Sequence, residues 1–128
     1  MRTIFLSLCF LYSLSGAAQG PTLRPEFANY QLVELLNKTT KKYDTPIARN
    51  NSVTFDYENK KIVAIDTVNG LKNIYNIKNF KTEKTGKLFN CVEEQSQMEC
   101  TVQTATVGTK KTMEVAFKNG FKLRFTKP

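Results

Sequence analysis

Histidine and tryptophan are both missing from this chain of 128 residues, and cysteine (three), proline (four) and glycine (six) are sparse. Without histidine, every catalytic centre built on an imidazole base is excluded, which removes many serine, cysteine and metal-dependent chemistries together. A zinc site would have to be assembled largely from carboxylates, which is uncommon. The glycines are dispersed, so no Gly-rich phosphate loop is present. Two carboxylate pairs remain as catalytic candidates, Asp56 with Glu58 and Glu93 with Glu94. Both lie beside expected turns, where a solvated charge is the ordinary role. No catalytic residue, metal ligand or cofactor is therefore assigned, and the chain reads as a binding protein rather than an enzyme.

Long apolar runs are missing too, except at the start. Arg2 precedes an apolar run over residues 4–14, and small residues follow at Gly16, Ala17 and Ala18. This is the order of a secretory signal peptide, whose apolar stretch spans roughly 7–15 residues. A membrane-spanning helix needs about 20. The expected organisation is a signal peptide over residues 1–18, cleaved after Ala18 with Ala17 as the alternative, and one secreted domain over residues 19–128. A domain of that length can bury a single core.

Cleavage removes Cys9 and leaves Cys91 and Cys100, with eight residues between them, in a chain bound for an oxidising compartment. They are expected to pair as a disulfide, which for so short a loop stabilises by roughly 2–3 kcal/mol. The sequons at Asn37 and Asn50 mark candidate glycosylation sites.

The formal charge of +8 falls to +7 once Arg2 has left. The excess is lysine, scattered along the chain, while arginine contributes only Arg24, Arg49 and Arg124 to the mature protein. A nucleic-acid reader concentrates arginine and stacks aromatics in one groove, so nucleic acid is not expected as a partner. A solvated basic surface is the first reading, with weak attraction to an anionic membrane surface or a glycosaminoglycan as a secondary one.

Between residues 25 and 43, Ala28, Leu32, Leu35, Leu36 and Tyr43 recur largely at three- and four-residue steps. The spacing predicts an amphipathic helix, opened by Pro25 and Glu26 and stopped by Asp44, Thr45 and Pro46. From Ser52 onward the period becomes two. Val53, Phe55 and Tyr57 alternate with polar residues, and a three-residue turn at Glu58-Asn59-Lys60 would set Phe55 opposite Val63 and Val53 opposite Ile65. In the last hairpin, a three-residue loop with Gly120 left-handed pairs Phe117 with Phe121, Val115 with Leu123 and Met113 with Phe125, which keeps both apolar sets on one face. Cys91 opposite Cys100 places Phe89 opposite Val102. The expected fold class is α+β, an N-terminal amphipathic helix packed on a long twisted antiparallel sheet of hairpins.

The segment from Asn69 to Lys81, Asn-Gly-Leu-Lys-Asn-Ile-Tyr-Asn-Ile-Lys-Asn-Phe-Lys, resembles the Gly-Leu segment of the extracellular lipid-binding TULIP superfamily, which includes the takeout, juvenile-hormone-binding and mite group seven allergen families. Gly70-Leu71 falls at the matching place between two strands, although the chain is about half the length of such a domain. The resemblance implies a sheet rolled around a helix, with an apolar groove for a lipid or terpenoid.

Function is accordingly expected to be non-catalytic binding of a hydrophobic, lipid-like or terpenoid ligand by a secreted, extracellular protein. The expected lining is Phe55, Ile65, Ile77, Phe80, Phe89, Val115, Phe117, Leu123 and Phe125, since many of the chain's nine phenylalanines share one face of the strands. The alternatives are a secreted cystatin-like protein that acts on a protein partner, although the Gln-x-Val-x-Gly loop of that family is missing, and a cationic antimicrobial or polyanion-binding protein.

Overall fold

The computed structural model describes residues 24–128, so the expected signal peptide lies outside the described residues. Nine strands follow in order: β1 (Glu26–Asn37), β2 (Lys42–Tyr43), β3 (Ile47–Asp56), β4 (Lys61–Asp66), β5 (Lys72–Thr82), β6 (Lys87–Glu93), β7 (Glu99–Val107), β8 (Lys110–Phe117) and β9 (Lys122–Lys127). Apart from the short β2, each strand pairs antiparallel with the next, and β9 returns to pair with β1, which closes an eight-stranded meander barrel. Closure leaves no free sheet edge around the wall.

The α+β expectation is thereby corrected, because the described residues contain no helix and the predicted helix is strand β1 with the β1–β3 connection. The cause is a bulge. The register of β1 against β3 shifts between Tyr30 and Leu32, where two residues of β3, Arg49 and Asn50, face Gln31 alone, and at such an irregularity the ladder is locally disrupted and the inward face of β1 changes phase. Ala28 and Tyr30 pack on the core before the shift and Val33 after it. A period of two with one phase reversal thus leaves the three-residue spacing of a helix. The same device operates in β5, where a shift between Ile77 and Asn79 lets both Ile77 and Phe80 face inward.

The first hairpin also differs from expectation. Its register is Phe55 opposite Ile62 and Val53 opposite Ala64, one residue away from the expected pairing. The turn holds four residues rather than three. Asp56 accepts hydrogen bonds from the Asn59 backbone N–H (3.1 Å) and side-chain Nδ2 (2.8 Å), and Lys60 is left-handed at φ 56°. Because a one-residue slip exchanges faces, Ile62 and Ala64 are buried while Val63 and Ile65 turn outward.

The later hairpins follow the alternation. Val115 pairs with Leu123, Met113 with Phe125, Cys91 with Cys100 and Phe89 with Val102. Gly120 takes φ 93°, a conformation that side chains other than glycine's rarely adopt, and its N–H reaches the Phe117 carbonyl at 2.9 Å. The inward rows meet in one core, from Tyr30, Val53 and Phe55 through Tyr75 and Phe89 to Val102, Met113, Val115 and Phe125.

Outside the wall, β2 folds back across the β1–β9 seam. The Tyr43 hydroxyl donates to Glu114, Arg124 lies 3.9 Å from the Tyr43 ring, and its guanidinium donates to both oxygens of Glu34 at 3.0 and 3.2 Å. This clamp supports the seam where the pairing is shortest, from Leu32 to Leu35.

Candidate functional site

An eight-stranded barrel is just wide enough for its interior to be filled by side chains or to hold one small ligand. Here aromatic rings fill one half. Phe55 stacks on Phe89 at 5.6 Å between centroids, Phe80 lies 5.4 Å from Phe89, and Tyr57 lies 5.3 Å from Phe80. Above them the Tyr57 hydroxyl donates to Glu26, and Lys87 pairs with the same carboxylate at 3.4 Å. Gly86 brings the β5–β6 turn so close to β7 that a Cβ there would lie 1.9 Å from the Thr104 carbonyl oxygen. This end has a recess of about 200 Å³, lined by the aromatic side chains of Tyr30, Phe55, Tyr57 and Phe89 and edged by Glu26, Lys87, Thr104, Thr106 and Lys111.

The opposite end is open and apolar. A mouth of about 310 Å³ is lined by Tyr75, Met98, Phe117, Phe121 and Leu123, with Asn73, Glu93, Ser96 and Asn119 as its polar groups. Strand β5 presents Asn73 and Tyr75, β6 ends in Glu93, and the β8–β9 hairpin supplies Phe117 and Phe121, whose rings are 5.9 Å apart. Asn119 fixes that hairpin by accepting the Phe121 N–H at 3.0 Å. Leu35 and Ile47 continue the apolar surface onto the lip, through their pairings with Leu123 and Val33.

Glu93 is the one carboxylate in the mouth and is 8% exposed. Burial opposes its ionisation, but hydrogen bonds from Ser96 and Gln95 outweigh that cost and hold its carboxyl below the usual range. The backbone N–H of Gln95 reaches one oxygen at 2.9 Å and that of Ser96 the other at 2.8 Å. A carboxylate has about four lone-pair sites, so acceptor capacity remains toward the mouth. Tyr75 beside it is held protonated, by burial first and then by nearby negative charge.

Of the sequence-predicted lining, Phe117 and Leu123 stand in the mouth. Phe55, Ile77, Phe89, Val115 and Phe125 are buried core, and Phe80 is half-buried against it. Ile77 and Phe80 also face a lateral crevice of about 340 Å³ between Tyr57, Lys60 and Lys78. Ile65 lies outside, opposite Ser52 and Lys72, and is 37% exposed. Sequence reasoning left Tyr75, Glu93, Met98 and Phe121 out of the site. Alternation was the available signal, with Ile77 for Tyr75 and with Phe89 and Cys91 for Glu93. A larger depression of about 520 Å³ on the outer face of β5–β8 is more polar; there Asn90 Nδ2 donates to Asn79 at 2.7 Å.

Cys91 and Cys100 face each other across β6 and β7 as two buried free thiols. Burial, with Cys100 adjacent, pushes Cys91 up to about 12, and burial with the Glu93 charge pushes Cys100 up to about 11. Of the two sequons, Asn50 is exposed, and the half-buried Asn37 uses its side-chain oxygen to accept from Thr39 and Thr40. Asp56 accepts within its turn from Asn59, and Glu94 pairs with Lys61 at 3.8 Å.

No family model, no curated protein and no solved structure matches this chain.

Proposed function

We propose that this is a secreted, non-catalytic binding protein for a small apolar molecule, held at the open end of the barrel. The open apolar mouth supports this reading. At about 310 Å³ it falls at the low end of the roughly 300–1,000 Å³ typical of small-molecule pockets, and it has their usual character of apolar walls with a few fixed polar groups. In this reading the ligand sits between Tyr75, Phe117, Phe121 and Leu123, at the mouth rather than deep in the packed barrel.

Glu93 sets the ligand's polar end. An ionised carboxylate accepts hydrogen bonds and repels anions. A terpenoid alcohol or a long-chain amine therefore binds more tightly than a fatty acid of equal length. Native mass spectrometry after organic extraction, followed by titration with a matched alcohol, amine and acid, tests this. Phe121→Ser should weaken the alcohol by roughly 10- to 100-fold, from the lost apolar contact, while Phe27→Ser at the other end should leave it unchanged. A protein that takes up none of the three, or one whose Phe27→Ser variant loses as much as Phe121→Ser, refutes the reading.

A further inference from the structure

The end of the barrel that carries the mouth is ringed by four connections, residues 38–46, 67–71, 94–98 and 118–121. Exposed aliphatic side chains collect there. Val68 is 67% exposed, Leu71 65% and Ile47 50%, and Leu35 and Ile65 lie toward the same end. Lysines alternate with them around three of the four connections: Lys38, Lys41 and Lys42, then Lys72, then Lys118 and Lys122. None of these six lysines is in an ion pair among the described residues. The acidic groups nearby are mostly taken. Asp66 pairs with Arg49 at 3.9 Å, Glu94 with Lys61 and Glu99 with Lys78 at 3.8 Å, and Glu93 is held by its own turn, which leaves Asp44.

We infer that this end docks on an anionic lipid bilayer, with Val68, Leu71 and Ile47 entering the interface and the ring of lysines meeting the headgroups. Protein-binding surfaces favour Tyr, Trp and Arg at their centres and are depleted in Lys. This rim has the reverse composition, aliphatic tips among flexible lysines, which is the arrangement that suits a membrane interface, where apolar burial and attraction to anionic lipid add together. The opposite end also carries lysines and two well-separated exposed apolar side chains, Phe27 at 75% on β1 and Val107 at 71% at the end of β7, but its recess is edged by polar groups and Lys87 there is paired with Glu26. Docked in this way, the mouth opens onto the lipid.

Co-sedimentation of the secreted protein with phosphatidylcholine vesicles, with and without phosphatidylserine, reads the inference directly. Binding is expected only with phosphatidylserine and should weaken as salt rises. The double substitution Lys41→Glu with Lys72→Glu should reduce partitioning by roughly 25-fold or more, at on the order of fivefold for each basic residue near an anionic surface. Val68→Asp with Leu71→Asp should lose binding comparably, whereas Lys84→Glu with Lys110→Glu, at the far end, should retain it. All these positions are exposed, and an unchanged melting temperature verifies that each variant is folded. No binding to the phosphatidylserine vesicles, or equal loss from the far-end pair, overturns the inference. Self-association through Val68 and Leu71 without vesicle binding overturns it in favour of a protein interface. The vesicles are offered to ligand-free protein, so docking can fail while the binding reading stands, and the reverse.

Discussion

Gly86 is the position where one added methyl group has the most calculable effect. A Cβ there would lie 1.9 Å from the Thr104 carbonyl oxygen, 2.5 Å from its carbon and 3.1 Å from the Ala105 Cα, whereas ordinary contact begins near 3.4 Å. Every one of these atoms is backbone, so relief requires the β5–β6 turn and β7 to separate by about 1.5 Å, the difference between 1.9 and 3.4 Å. That movement breaks the bond from Thr106 N–H to the Thr85 carbonyl (2.8 Å) and the one from Lys87 N–H to Thr104 Oγ1 (3.0 Å). Two bonds at about 1 kcal/mol each and overpacking strain of about 1–3 kcal/mol are offset by about 0.4–1 kcal/mol from the stiffer unfolded chain. The net destabilisation of Gly86→Ala is roughly 2–5 kcal/mol, which for a domain of this size lowers Tm by at least about 8 °C.

Differential scanning calorimetry with a parallel urea titration measures the effect, and Gly108→Ala is the control. Gly108 has φ 63° with no atom within 4 Å of its would-be Cβ, so only the left-handed backbone cost of about 1 kcal/mol applies. If Gly86→Ala melts within about 3 °C of the parent, the turn does not close on β7, and the chemical difference between the two barrel ends loses its structural basis.

Three further outcomes are expected. Glu93 has a depressed carboxyl, so its contribution to stability is present above the unfolded value of 4.5 and is lost as pH falls through the folded value; Glu93→Gln should cost about 1–2 kcal/mol at neutral pH and flatten the acid limb of a urea-melt series. Arg124→Met removes the Glu34 bonds and the Tyr43 stack, costs about 1–3 kcal/mol and should speed amide exchange at residues 32–35 before other strands respond. For the cysteines, which are reduced in this structure yet directly opposed, protein produced by secretion and denatured without reductant should show no free thiol; if both thiols titrate, the pair stays reduced, and its raised pKa values, which suppress ionisation, keep it inert toward alkylation in the native state.

The hairpins from Phe89 onward were legible in the sequence because their inward rows alternate without interruption, so one choice of loop length at Gly120 fixed the register of β8 and β9. The N-terminal strand was not, for a reason that applies to any periodicity argument. A bulge is silent in composition, and the one in β3 lies opposite a Leu-rich stretch of β1 that also suits a helix. What resolves the ambiguity is non-local: β1 must pair with β3 on one side and β9 on the other for the barrel to close, and closure outweighs the local helical preference. The expected turn at Glu58 failed in a smaller way. Asp56 and Asn59 cap each other only if the loop includes Tyr57, a side-chain interaction that alternation cannot register.

The same limit explains the partial view of the site. Counting apolar residues on one strand face finds whatever points inward, and in a barrel that set is divided by depth rather than by face. Phe55 and Phe89 lie where turns and the Gly86 contact seal the end, so they are core. Phe117 and Leu123 lie where the opposite end stays open, so they are wall. Depth follows from strand length and from which turns lean inward, and both depend on pairings that the sequence leaves implicit. Glu93 is the clearest case. It ends an inward row as the sole charge among aromatic side chains, and what keeps it ionised there is the turn that follows it, Gln95 and Ser96. A tip that reads as polar loop from composition is thus also what fixes the one carboxylate of an apolar mouth.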